Sequence, residues 1–177
     1  MQWSSIDESI ARLPRRLFAL IAAAALGVIL VSVVLTEVLD LHPCPLCIFQ
    51  RFLYLVIGAL ALIACTVPLR FSWTRWLALV ALLPSLAGAA TAAYQSWAQL
   101  YPDAAPSCYG ANPSLIERFV DWLGLLYPAF FMPTGFCTSM DGSFLSLTIA
   151  NWSLLIFLGL SAVLLWIGFL ATRASAS

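Results

Sequence analysis

Lysine is absent, and all eight basic residues are arginine. No lysine means no phosphate-gripping P-loop and no Schiff-base amine. His42 is the single histidine, which excludes a metal centre built on two or three imidazoles. Charge is scarce: 9% of the 177 residues are charged and the formal net charge is zero. No basic run is present, so nucleic acid is not an expected partner. A soluble domain carries roughly 25% charged residues. Here 63% of residues are hydrophobic and mean hydropathy is +0.98, which excludes a water-soluble globule. The chain reads as an integral membrane protein without internal repeats or low-complexity segments.

A membrane-crossing helix needs about 20 apolar residues. Four runs qualify: Leu17–Leu35, Leu46–Val67 (broken only by Gln50 and Arg51), Trp76–Ala93 with Pro84 inside it, and Trp152–Leu170. The expected fold is an all-α, single-domain four-helix membrane bundle over residues 1–177. The first run is too long for a signal core and no small-x-small cleavage site ends it, so it is expected to remain as an anchor. Arg12, Arg15 and Arg16 precede span 1, Arg70 and Arg75 separate spans 2 and 3, and Arg173 follows span 4. The positive-inside rule puts these segments, and both termini, in the cytoplasm. Two loops then face outward, about 36–47 and 97–150. Small residues at Ala22–Ala25 and Ala87–Ala93, with Gly27 and Gly88, allow helices to approach closely.

This topology sorts the five cysteines. Cys44, Cys47, Cys108 and Cys137 fall outside; Cys65 lies within span 2 and reads as a small buried hydrophobe. Outward cysteines in an oxidising compartment read as disulfides. Four allow three pairings, and spacing favours Cys44–Cys47 with Cys108–Cys137. The second pair is 29 residues apart, a poor zinc spacing, so no metal is expected. His42-Pro43-Cys44-Pro45-Leu46-Cys47 opens span 2. Backbone N–H groups and the helix dipole at such a start stabilise a thiolate. Arg51, four residues after Cys47, shares its helical face. An ionisable residue at membrane depth is a functional candidate; the plainer reading is a side chain that snorkels to lipid headgroups. His42 reads as a solvated loop residue.

In the long loop, Pro102, Pro106, Gly110 and Pro113 keep Cys108 out of regular structure. Leu115, Ile116, Phe119, Val120 and Leu123 fall at helical spacing, with Glu117, Arg118 and Asp121 between them. This predicts a short amphipathic helix, either on the membrane lipid surface or in a small loop core. The loop then reaches Cys137 through Pro133-Thr134-Gly135-Phe136 and is expected to move, carrying a disulfide between a partner and the Cys44–Cys47 pair.

Taken together, these residues resemble the DsbB family of bacterial inner-membrane proteins. The resemblance lies in Pro-Cys-x-x-Cys at 43–47, Arg51 behind it, Gln-Leu-Tyr-Pro at 99–102 before Cys108, and Gly-x-Cys at 135–137. It implies a protein-thiol oxidase that reoxidises a periplasmic DsbA-like dithiol oxidase and passes electrons to the membrane quinone pool, ubiquinone or menaquinone. It assigns Cys44, Cys47, Cys108 and Cys137 to catalysis, and Cys47, Arg51 and Gln95 to the quinone. Some family members carry a histidine where Gln95 falls here. A glutamine donates a hydrogen bond to a quinone oxygen but cannot carry a proton at neutral pH. The chain offers no haem pattern, since Ile48 follows Cys47, and no Rossmann glycine motif. A lipid-soluble acceptor needs neither. The competing reading is a structural four-span protein whose outer loop is stapled by a disulfide.

Overall fold

In hydrocarbon every backbone N–H and C=O must be paired within the segment, so long apolar runs fold as helices. The structure, a computed structural model, describes residues 3–66, 71–103, 113–138, 143–144 and 147–176. Four long helices form: α1 (Trp3–Val38), α2 (Pro45–Thr66), α3 (Phe71–Leu100) and, last in the chain, α6 (Ile149–Ala176). Each contains a stretch long and apolar enough to cross a membrane. Between α3 and α6 come α4 (Leu115–Leu126), the single turn α5 (Pro128–Phe131) and a two-stranded hairpin, β1 (Ser143–Phe144) and β2 (Leu147–Thr148). The hairpin is antiparallel, pairing Ser143 with Thr148 and Phe144 with Leu147. The protein is an all-α four-helix membrane bundle with this small addition.

The helices reach past the apolar runs. α1 begins well before Arg12, and α3 runs seven residues beyond Ala93 to Leu100. Gln95, Ser96 and Gln99 end the apolar run without ending the helix, because glutamine is a good helix former. Trp97, expected at the start of a loop, is therefore helical; Val67 lies outside the described residues. α1 stops at a turn in which Asp40 takes φ 49° and Leu41 N–H bonds to Thr36 O at 3.2 Å. This is the left-handed helix stop for which Asp is tolerated.

Packing is neighbour to neighbour. α1 lies against α2, α2 against α3, and α3 most extensively against α6. Contacts fix the directions: Cys65 near the end of α2 meets the Arg15 carbonyl on α1, and Gln50 near the start of α2 meets Gln95 near the end of α3. The helices therefore alternate up and down. Ala22 and Ala25 of α1 are buried, and Gly58 of α2 faces Ala25 and Leu26. Gly88 has a stronger reason to lack a side chain: a Cβ there would stand 2.3 Å from the Phe157 ring of α6. That ring stacks on Tyr54 of α2 at 4.1 Å, so it is held from both sides.

The polarity is that of a lipid-facing protein. Leu20, Leu30, Leu83, Leu155 and Trp166 are exposed, while Ser85, Ser153 and Ser161 are buried. Ser85 Oγ donates to Phe157 O at 3.1 Å and meets Ser161 Oγ at 2.9 Å. Tyr54 Oη meets Ser153 Oγ at 3.1 Å. Buried hydroxyls bonded across helices hold membrane bundles together.

α4 starts on a reciprocal cap. Ser114 Oγ accepts from Glu117 N–H and the Glu117 carboxylate accepts from Ser114 N–H, the capping-box arrangement. Its inner face buries Val120 and Leu123, and Phe119 meets Phe52 of α2 edge-on at 5.0 Å. Leu115, Trp122, Leu125 and Leu126 stay exposed. The expected amphipathic helix thus has a packed inner face and an outer face on which these apolar residues stand beside exposed Arg118 and Asp121.

Candidate active site

The site grows out of the first turn of α2. Ile48 N–H bonds to Cys44 O at 3.1 Å, which makes Cys44 the capping residue and Pro45 the first helical one. Proline suits that place, because the amide it lacks would have no helical partner. Cys44 Sγ takes the part a serine hydroxyl usually plays, accepting from Cys47 N–H at 3.4 Å. The two-residue spacer thereby places both sulfurs on one turn.

The sulfurs stand 3.1 Å apart, with the Cys44 thiol donating to Cys47. A disulfide bond measures about 2.05 Å, so the pair expected to be bridged is here a dithiol. Cys44, Cys47 and Cys65 are free thiols. The hydrogen bond to Cys47, then burial, push the Cys44 thiol well above its ordinary value. Cys44 keeps its proton, and Cys47 is the sulfur toward which donors point.

Besides the Cys44 thiol, a second donor comes from α3. Gln95 Nε2 lies 3.1 Å from Cys47 Sγ and 3.4 Å from Cys44 Sγ. Gln95, assigned by family resemblance to a quinone oxygen, is found on the sulfurs. Its Oε1 accepts from Gln50 Nε2 at 2.9 Å. In the sequence Gln50 stands out only as an interruption of an apolar run. A polar side chain at membrane depth is itself a signal of function, but its partner lies 45 positions away.

Arg51 is half-buried and turned toward α1. Its Nη2 donates to Ser32 O at 3.0 Å and also bonds to Thr36 Oγ1. Among the described residues no other hydrogen bond engages its guanidinium. It remains within Coulombic reach of both sulfurs. A snorkelling arginine needs no such anchor on a neighbouring helix, and Ser32 and Thr36 carried no mark in the sequence.

The long loop closes the site from above. Thr134 N–H and Gly135 N–H both bond to Pro43 O, at 2.9 and 3.1 Å. Gly135 is buried so tightly that a Cβ would stand 2.0 Å from the His42 carbonyl oxygen. This latch carries Cys137 into a cluster with Cys44 and Leu46, against Cys47 and Ile116. Cys137 is disulfide-bonded and only 3% exposed. Cys108 lies outside the described residues. His42 presents its side chain to solvent, and Cys65 sits at the far end of α2. Among the described residues no His, Cys, Asp and Glu cluster is suited to a metal ion.

The arrangement therefore joins one disulfide-bonded sulfur, two thiols, an amide donor and a guanidinium. That is the equipment for thiol–disulfide exchange followed by transfer of charge to an acceptor. The residues also fit a quinone. Cys47 supplies a sulfur that receives donors, and Arg51 and Gln95 supply N–H groups suited to carbonyl oxygens.

Comparison with known proteins gives concordant results. The family model of disulfide bond formation protein DsbB matches residues 14–167. Disulfide bond formation protein B of Dechloromonas aromatica is 46% identical over 149 residues, covering 84% of this chain and 88% of that one. The protein of the same name from Nitrosomonas europaea is 41% identical over 157 residues, covering 86% and 93%. That from Verminephrobacter eiseniae is 40% identical over 167 residues, covering 93% and 89%.

Proposed function

The chain belongs to the DsbB family of disulfide bond formation proteins, and from that premise we propose that it reoxidises a DsbA-like dithiol oxidase and delivers the electrons to a membrane quinone. One observation carries the reading: a disulfide-bonded sulfur, Cys137, is latched against the Cys44–Cys47 pair where α2 begins.

Exchange proceeds by thiolate attack on a disulfide sulfur. A thiolate of the reduced partner attacks Cys108 of the Cys108–Cys137 disulfide and forms a mixed disulfide. The partner's second thiol resolves it, leaving with its own disulfide and with Cys108 and Cys137 reduced. Cys137 then attacks Cys44 of the closed Cys44–Cys47 bond, releasing Cys47 as a thiolate. Cys108 attacks Cys137 in turn, restoring the loop disulfide and leaving Cys44 and Cys47 as the dithiol. Two electrons have moved inward from one pair to the next. A quinone bound beside the pair would supply an acceptor for two electrons and two protons, allowing the Cys44–Cys47 bond to close again. Cys47, Arg51 and Gln95 are the residues that would hold it. Ser32 and Thr36 orient Arg51 for that task, and the helix start shields the sulfurs from water.

Topology follows from charge. Arg15, Arg16, Arg75 and Arg173 lie toward the end of the bundle opposite Cys44. Positive charge marks the cytoplasmic side, which puts both termini inside and the thiols on the periplasmic face of a bacterial inner membrane.

The test is oxidation of a reduced dithiol protein by the purified protein, with ubiquinone or menaquinone supplied in separate reactions. Turnover is expected with at least one quinone and lost in Cys44→Ser and in Cys47→Ser. Undiminished turnover by either variant rejects the proposal, and an inert loop disulfide would favour a structural staple.

A further inference from the structure

Gln50 and Gln95 are 5% and 4% exposed, in a bundle whose core is mostly apolar. A buried amide is costly unless both its ends are used. Here the two form a directed chain: Gln50 Nε2 donates to Gln95 Oε1 at 2.9 Å, and Gln95 Nε2 donates onward to the sulfurs. An amide can turn either end to a neighbour. With Oε1 taken by Gln50, Gln95 has only N–H to offer Cys44 and Cys47. We infer that Gln50 is a positioning residue: it fixes the polarity of the Gln95 amide, and through it favours the open dithiol over the closed disulfide.

The inference rests on reading Cys44–Cys47 as a redox pair. Opening that bond takes two electrons and one proton when Cys44 keeps the proton and Cys47 the negative charge. The two thiols that supply the electrons become a disulfide and release their other proton to water. An N–H donor strengthens its bond when its acceptor gains charge, so Gln95 helps the open form more than the closed one. Held by Gln50, it makes the pair a better electron acceptor for the loop disulfide's thiols.

The experiment equilibrates the full-length protein, free of quinone, in thiol–disulfide buffers. The Cys44–Cys47 state is read by alkylation and peptide mass, separately from Cys108 and Cys137. Methionine fills nearly the volume of glutamine without its amide. Gln95→Met is expected to shift the equilibrium about tenfold toward the disulfide, or about 30 mV for two electrons. Gln50→Met should shift it about threefold in the same direction, by the reasoning that a freed amide still spends part of its time with N–H toward sulfur. Because Gln50 acts through Gln95, the double variant should match Gln95→Met alone. Gln50→Leu, which also removes the donor to Gln95, should likewise favour the disulfide, and it keeps the test open if Gln50→Met does not fold. Parental equilibria in both Gln50 variants, or a double variant equal to the sum of the singles, overturn the inference. A parent pair that exchanges with no buffer overturns the redox reading itself, and this inference with it.

Discussion

The middle of the bundle and its thiol end both bury polar groups, to different ends. In the middle, Ser85 with Ser161 and Tyr54 with Ser153 close on each other across helices. Each donor has a fixed acceptor, and nothing there changes charge. At the thiol end, Gln50 and Gln95 form an open chain that finishes on sulfur. Arg51 is braced from behind by Ser32 and Thr36. The contrast teaches that buried hydrogen bonds in an apolar bundle serve two purposes. Closed pairs hold helices together, whereas a chain that ends on a sulfur is placed to tune that atom, as proposed above.

Substitutions at two glycines separate the regions most sharply. Gly88→Ala drives a methyl group into the Phe157 ring, which Tyr54 blocks from retreating. Overpacking of this kind costs about 2–3 kcal/mol. Thermal unfolding in detergent should show the loss, with fold and turnover falling together. An unchanged midpoint would mean that the ring has room, and that the middle is less tightly fixed than its packing implies.

Gly135→Ala attacks the other region. Its methyl group meets the His42 carbonyl, which is backbone and cannot swing away, so the latch on Pro43 must open. Oxidation of a dithiol protein is expected to slow about a hundredfold, equivalent to about 2.7 kcal/mol. Thermal stability should barely change, and a small thiol that reaches Cys44 directly should still be oxidised. Equal loss with both reductants would show that the latch supports the fold instead of the exchange.

The smallest effect is expected at Ser85→Ala. One interhelical hydroxyl bond in a membrane bundle is worth about 0.6 kcal/mol. The unfolding midpoint should drop slightly while the Cys44–Cys47 equilibrium stays put. A shift in that equilibrium would erase the distinction between closed pairs and the chain that ends on sulfur.

Much of this was readable from one chain because bilayer thickness dictates helix length. The four apolar runs mark the long helices, and the spacing of Ile116, Phe119, Val120 and Leu123 marks α4. Cys44 and Cys47 at a helix start also follow from local pattern. What escaped were contacts without a local signature. The latch at Pro43 is made by the backbone N–H groups of Thr134 and Gly135, which leave no side-chain signature in the sequence. Gln50 and Gln95 meet only after two helices pack. The paired strands Ser143–Phe144 and Leu147–Thr148 are too short to show alternation, and the end of α3 is hidden because polarity at Gln95 and Gln99 resembles a loop.

Cys44 stops the open end of α2 with the same atom that is proposed to enter exchange. A capping bond to the third amide is worth about 1 kcal/mol in ordinary proteins. Drawing that sulfur into a covalent bridge alters the lone pairs it can lend to the peptide below. The oxidation count is therefore written into the backbone of a single turn, where the amide proton of Cys47 can report it without any probe on sulfur.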